Sequence, residues 1–427
     1  MDDVIIEARK KEKGTDYVKT TKALNKNINA GIAVSLLDIN KSQAGFKPDA
    51  ENNQILFGLK ALSGVNNEVI DKIIAGRPYK SIIDFMNRCP IKKPAMISLI
   101  KGGAFDNLVK EWAAAANIEP RYLAMGIYLL KKSDLKTKLN LQNFNGLISN
   151  NLIPEQFNKE IRIYNFNKCL KAQCKFKEYY IFNNSCTEFY NQFFDPDRLT
   201  VIDGFTAIEQ KTWDKIYTSA MLPVKQWIKD NQQELLNKYN NLILKESWDK
   251  NAEGNLSAWE MSAICFYYHD HELKNVDKDR YGLSSFSNLP ETPEVDYYFK
   301  RGGRDIPIFK LTRLVGTILA KEDKKSLIVL LTPEGDVINV KFSKEYYANY
   351  ARQLSEVQPN GKKKVIEKGW FKRGTKVLIT GFRREDTFVA KTYKNTASHQ
   401  LYLIEKIQEN GTLSLRHDRF TQFIKIF

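Results

Sequence analysis

Residues 55–75 read ILFGLKALSGVNNEVIDKIIA. Apolar side chains fall at Leu56, Leu59 and Leu62, then after a break at Val69, Ile70, Ile73 and Ile74. The spacing is helical on both sides, so the stretch predicts two short amphipathic helices joined by the turn Ser63-Gly64-Val65-Asn66. Gly64 permits the positive φ of a sharp turn, and Val65 is placed to fill the wedge between the helices. The N–H groups of Asn66, Asn67 and Glu68, at the start of the second helix, then face outward toward a phosphate oxygen. Lys72 and Arg77 add charge nearby. A site of this kind grips the sugar-phosphate backbone and reads no bases.

This is the helix-hairpin-helix pattern, with one departure. Its usual turn is Gly-hydrophobic-Gly, and here Asn66 takes the place of the second Gly; Asn tolerates the left-handed region. On the pattern alone, an ordinary packed helical pair and a DNA contact both remain open. A second unit follows at 78–108, PYKSIIDFMNRCPIKKPAMISLIKGGAFDNL. Pro94 suits a first helical turn, Met96, Leu99 and Ile100 share a face, and Gly102-Gly103 ends the helix. By itself it reads as a second packed helical pair.

The chain around these hairpins has 427 residues, 43% hydrophobic and 12% aromatic. That supply of core formers excludes global disorder. No apolar run reaches the ~18 residues that span a bilayer, and the charged opening MDDVIIEARKKEKG has no apolar core of a secretory signal. Cys89, Cys169, Cys174, Cys186 and Cys265 are odd in number and scattered, so they are expected as reduced thiols in a cytoplasmic protein. The formal charge is +16. Residues 301–427 hold 25 basic and 13 acidic side chains, a local +12. A concentrated cationic field favours a polyanion through counterion release, so nucleic acid is the leading partner and a membrane is not expected. A basic surface with no partner is the plain alternative.

Residues 111–300 read mostly helical and carry few motifs. Cys169, Cys174 and Cys186 offer three thiols without paired short spacings or an obvious fourth ligand, so no metal site is assigned. The stretch WEMSAICFYYHDHEL places Glu260, His269, Asp270 and His271 together; a polar helix end fits better than a metal or a base. Gly302-Gly303, after a Pro-containing stretch, reads as a linker into the last region.

From 305 to 410 the period changes to two. Residues 311–319, 326–331, 336–342, 376–382, 387–391 and 401–408 read as strands, with a helix in SKEYYANYARQLSE after the third. That order matches an OB-fold barrel, and Gly316 fits the kink such a strand needs. Cations and aromatics interleave at Lys362, Lys363, Lys364, Lys368, Trp370, Phe371, Lys372 and Arg373, followed by Arg383, Arg384, Lys391 and Tyr393. Such mixtures stack unpaired bases and hold phosphates. Trp370 and Phe371 also fit as barrel-plug core residues, and for Trp370 the core position and the stacking platform are equally open; the Lys/Arg cluster reads as nucleic-acid binding ahead of a merely solvated face.

Six elements in order carry a family resemblance: Gly31-Ile32; Asp38, Asn40 and Ser42; Phe57-Gly58-Leu59; Gly64-Val65; Tyr79, Ser81 and Asp84-Phe85; and Gly103-Ala104-Phe105-Asp106. Together they resemble the junction of fingers and hairpins in bacterial DNA polymerase III alpha subunits, the C-family replicative polymerases. Tyr79 stands for the family's Phe. The 260–273 stretch is similar to the family's Glu, Gly-Phe-Tyr, His-Pro-Leu element, with Cys265 for Gly and Glu272 for Pro. TRLVGTI, LLTPEGDVINVKF, EKGWFKRG and ITGFRREDTFVAKTY resemble the OB domain of phage relatives. The resemblance implies single-stranded template near Arg313, Lys341, Trp370, Lys372, Arg373, Arg383, Arg384 and Lys391. It also implies a sliding-clamp peptide, for which Gln422, Phe423, Ile424, Ile426 and Phe427 give the outline.

The family's clustered palm aspartates are not recognised: Asp195-Pro196-Asp197 reads as a loop. No catalytic or metal-binding residue is therefore assigned, and Mg²⁺ is expected at a palm elsewhere. The expected fold is α+β and multidomain: a fingers-like end at 1–50, tandem helix-hairpin-helix at 51–110, a mostly helical middle at 111–300, an OB-fold at 305–410 and a tail at 411–427. The expected function is to hold primer-template and single-stranded template for a polymerase whose palm and thumb come from another segment or chain. A stand-alone single-strand-binding module and a replisome scaffold are the alternatives.

Overall fold

The computed structural model describes residues 16–358, 361–394 and 399–419. The chain divides into two units: the described residues up to Tyr128 together with those from Ala252 onward, and Leu129–Asn251. Among the described residues, no helix is long and apolar enough to cross a membrane.

The first unit opens with α1 (Tyr17–Asn29). Strands β1 (Ala33–Ser35), β2 (Lys47–Asp49) and β3 (Gln54–Leu56) form a small sheet with β3 in the middle. Helices α2 (Asn67–Ala75), α3 (Ile82–Arg88), α4 (Lys93–Lys101) and α5 (Asp106–Ala116) follow. Where a full helix was expected before the first turn, there is only a 3-10 turn, Leu59–Ala61. Leu56 is still paired in the sheet with Ser35 and Lys47, so too little chain remains before Ser63 for more than one turn. The second unit of the pair forms as read. Pro94 lies in the first turn of α4, Met96, Leu99 and Ile100 are buried, and Gly102 closes the helix.

The loop 38–42 ties these helices together. The Asp38 carboxylate accepts the Asn40 and Lys41 N–H groups and the Asn107 amide. The Asn40 amide donates to the Tyr79 carbonyl and accepts from its N–H, at 2.9 and 2.8 Å. The motif residues Asp38, Asn40 and Ser42 are thus loop organisers, each bonded to backbone.

Helix α6 (Pro120–Lys132) leads into the second unit. There α7 (Phe144–Ser149), α8 (Asn158–Gln173), α9 (Asn184–Phe193), α10 (Gln210–Ala220), α11 (Leu222–Asp230) and α12 (Gln232–Asn251) surround two aromatic-rich cores. The middle region is not helical throughout. β4 (Lys175–Phe176), β5 (Tyr179–Ile181), β6 (Thr200–Ile202) and β7 (Phe205–Glu209) make a sheet in the order β4-β5-β7-β6. Asp195 accepts the Asp197 N–H and caps a one-turn helix, so this pair lies in a loop as read.

The first unit resumes with α13 (Leu256–Ile264) and α14 (Lys278–Tyr281), then a two-stranded ribbon of β8 (Val295–Arg301) and β9 (Arg304–Phe309). Gly302 and Gly303, expected as a linker, are the tight turn of that ribbon. Their φ values of +57 and +78 are what a two-residue hairpin turn requires.

β10 (Thr312–Glu322), β11 (Leu327–Leu331), β12 (Val337–Lys341), β15 (Lys376–Arg384) and β16 (Thr387–Ala390) close a barrel. They pair in the order β10-β11-β12-β16-β15, and β15 returns to β10. The β12–β16 pairing is parallel and the others antiparallel, as an OB-fold requires. Gly316 lies where β10 serves two neighbours; a Cβ there would meet the Leu331 carbonyl oxygen at 2.6 Å. Helix α15 (Lys344–Ala351) plugs the barrel with Tyr347 and Tyr350. It is shorter than expected, because Leu354–Val357 (β13) pairs with Lys363–Glu367 (β14) as a separate hairpin. β17 (Leu401–Ile407) and β18 (Leu413–Arg416) extend the sheet beyond β15.

Candidate nucleic-acid interface

The leading hairpin presents its turn to solvent. Gly64 has φ +78, with no atom within 4 Å of the position a Cβ would take. Asn66 is not left-handed as expected. Its φ is −97, and its side-chain oxygen caps α2 by accepting the Val69 N–H at 3.0 Å. Asn66 thus serves as an N-cap, for which Asn is among the strongest residues. The turn borders an open groove of about 800 Å³ whose other wall is the turn Pro90–Ala95 of the second hairpin. Two helix N-termini, those of α2 and α4, meet at this groove together with Lys60, Lys72 and Lys92. Helix N-termini and ammonium groups both favour a phosphate. Among the described residues, one anionic side chain, Glu68, shares the groove, and Lys72 is bound to it at 2.7 Å.

The same groove is reached from the barrel. Arg373, in the loop before β15, sits over the Tyr17 ring at 4.5 Å and donates to the Ser63 hydroxyl at 3.3 Å. Tyr17 is itself part of the groove wall. Lys372 beside it is exposed; partial burial, then neighbouring Lys368, press its ammonium pKa downward. The hairpin turn and the cationic barrel loop therefore border one surface, where the sequence had placed them at opposite ends. A shared core supports this: Tyr17 and Val18 of α1, Met261 and Cys265 of the α13 end, and Leu319, Val329 and Leu331 of the barrel pack together.

Several expected contacts have structural duties instead. Trp370 and Phe371 are 3% exposed and belong to the barrel core, so neither is a stacking platform for bases. Trp370 stacks on Tyr350 at 5.2 Å and donates to Glu367 at 2.8 Å. Arg77 donates to the carbonyls of Ile39 and Ser42, which fixes the 38–42 loop and withdraws its fork from solvent. Arg383 donates to the Leu289 carbonyl at 2.8 Å and pairs with Glu291 at 3.1 Å. Arg313 donates to the Tyr281 carbonyl, and Lys341 to that of Lys325.

Other expected residues stand on the surface. Lys362, Lys363 and Lys364 are exposed at and on β14, as are Arg384 at the end of β15 and Lys391 just after β16. Arg384 lies over Phe309 and Phe382. Tyr393 accepts the Phe309 N–H at 2.9 Å, and Lys391 lies over its ring. The clamp-like stretch Gln422–Phe427 lies outside the described residues. Lys60, Lys92 and Tyr17 were missed. For Lys92, the signal was the repeat of turn, Pro and helix at 90–95.

The 260–273 stretch clasps a buried carboxylate. Glu260 is 0% exposed and takes up Arg121 at 2.7 Å, the N–H groups of Tyr268 and His269 at 2.9 Å, and the His269 ring at 2.7 Å. His271 accepts the Leu273 N–H and touches Thr317 of β10; burial pushes its pKa down to about 4. Cys265 has φ +56, the left-handed backbone that explains a Gly in the resembled element. In place of the Pro, Glu272 bonds Tyr267 and Lys376.

Comparisons with known proteins agree with this geometry. Residues 31–115 match the family model described as the helix-hairpin-helix motif. The chain is 36% identical over 424 residues to a probable DNA polymerase, YorL, of Bacillus subtilis, and equally to a DNA-directed DNA polymerase of Bacillus phage SPbeta. These alignments cover 96% of the chain and 31% of each relative, so the chain spans about a third of the curated relatives it matches. A further 90 residues are 33% identical to the DNA polymerase III subunit alpha of Caulobacter vibrioides, over 19% of the chain and 8% of that protein. The resemblance to the hairpin-and-barrel part of polymerase III alpha subunits is borne out.

Proposed function

We propose that this chain is the DNA-holding C-terminal portion of a replicative polymerase of the polymerase III alpha type. It grips primer-template through the paired hairpins and guides single-stranded template along the barrel. Palm and thumb, with the Mg²⁺ ions of nucleotidyl transfer, belong on this reading to another segment or chain, in the cytoplasm of a bacterium or infected host. The observation that carries it is the meeting of Arg373 with Ser63 and Tyr17. That contact brings an open groove with two helix N-termini beside the cationic barrel loop, and such a surface suits a backbone followed over several phosphates.

The clamp contact at Gln422–Phe427 is part of the same proposal: removing those residues is expected to abolish clamp binding, and unchanged binding would remove it. The main test is a fluorescence anisotropy titration with a primer-template junction, blunt duplex and bare single strand, paired with primer extension. Preference for the junction is expected, with extension only when a palm-bearing partner is added. Extension by this chain alone would overturn the assignment of roles, and preference for bare single strand would favour a free-standing strand-binding module.

A further inference from the structure

The ribbon of β8 and β9 has no assigned role, and its composition is unusual for one. Among the described residues, its strands pair only with each other. Every residue of β8 is exposed. Tyr298 is 63% exposed, Phe299 52% and Tyr297 47%. An isolated two-stranded hairpin is marginal in water, and exposed aromatics of this density mark a surface that meets something.

The pairing register sorts the side chains. Tyr297 faces Ile308, Phe299 faces Ile306 and Arg301 faces Arg304, so these six lie on one side. The result is a ladder of apolar and aromatic steps ending in two guanidinium groups at the Gly302-Gly303 tip. Among the described residues, neither Arg301 nor Arg304 has a carboxylate within ion-pair distance. The base of the ribbon continues into exposed cationic surface: Phe309 donates its N–H to Tyr393, whose ring carries Lys391, and the Arg384 guanidinium lies 5.8 Å from the Phe309 ring.

We propose that this ribbon is a single-strand guide, on which unpaired bases stack against Tyr297 and Phe299 while Arg301 and Arg304, on the same face, hold the flanking phosphates. The occupant is nucleic acid rather than an apolar protein face because the aromatic steps lie between the two guanidinium groups at the tip and the cations Lys391 and Arg384 at the base. Unpaired bases with their phosphates need rings flanked by cations in this way. The inference rests on the DNA-holding reading and adds to it the element that meets the unpaired strand.

The test uses the full chain, a fluorescent oligo-dT strand and a blunt duplex. Two variants are compared with the parent: the double substitution Tyr297→Ala and Phe299→Ala, and the double substitution Arg301→Ala and Arg304→Ala at the exposed tip. Each is expected to weaken oligo-dT binding about tenfold or more, the scale of a lost stacking platform, and to leave duplex binding within about twofold. A bromodeoxyuridine strand is expected to crosslink within residues 295–301. If the parent binds neither probe, the DNA-holding reading falls. If the parent binds oligo-dT and both variants bind it equally well, the ribbon is not the guide and the DNA-holding reading stands. Crosslinks confined to other segments, or a protein partner lost by the variants with DNA affinity unchanged, would also overturn the ribbon's role.

Discussion

The guanidinium of Arg373 lies 4.5 Å from the centre of the Tyr17 ring and 3.3 Å from the Ser63 hydroxyl, joining a barrel loop to a hairpin turn across 310 positions of sequence. Removing it with Arg373→Ala is expected to cost about 1 kcal/mol of stability, the scale of an exposed cation–π contact. Arg373→Lys should recover the charge and not the planar stacking. Urea unfolding of the parent and both variants reads the difference.

Gly64 carries only backbone strain. With φ +78 and open space around the missing Cβ, Gly64→Ala meets no steric clash. It should cost about 1–2 kcal/mol from the left-handed region alone. Gly64→Asn should lose less, because Asn tolerates that region through local hydrogen bonds. Equal losses, measured by urea unfolding, would show that the turn is held by something other than its backbone conformation.

Trp370 separates core from interface. Its ring is 3% exposed and packed between Tyr350 and the barrel. Trp370→Phe is expected to cost about 1–3 kcal/mol of stability. The affinity for oligo-dT should stay unchanged under conditions where the variant remains folded. A selective loss of affinity would return Trp370 to the interface.

His271 gives a pH dependence. Burial depresses its folded pKa to about 4 from an ordinary 6.5, so the unfolded chain takes up the proton first as pH falls. The stabilisation is full above the ordinary value and drains away below it, amounting to about 2 kcal/mol between pH 7 and 5. His271→Asn, whose amide oxygen can take the Leu273 N–H, should flatten stability against pH by that amount. An unchanged slope would mean that His271 is not neutral in the folded state.

Much of this was legible in the sequence, and the failures share a cause. The six barrel and extension strands were visible because alternation and β-branched residues report local burial directly. Gly316 was visible because a Gly inside a strand has few explanations. Local pattern says nothing of tertiary partners, however. Arg77, Arg313 and Arg383 looked like free cations and are bound to distant carbonyls. Asn66 was read as a substitute for Gly and proved a helix cap. Gly302-Gly303 looked like a linker because the strands on either side bury little, so the period-two signal of a packed sheet is weak there. The meeting of Arg373 with Ser63 left no trace in any window, since nothing links the two segments except the folded core between them.

The central claim is that hairpin groove and barrel loop form one track for DNA. The measurement that tests it is the salt dependence of primer-template affinity for the parent, for Lys92→Ala in the groove, for Lys372→Ala in the loop, and for the pair together. Each single substitution is expected to lower the slope of log affinity against log salt by about 1, and the pair by about 2. A slope that stays at the parent value in the double variant would contradict the claim.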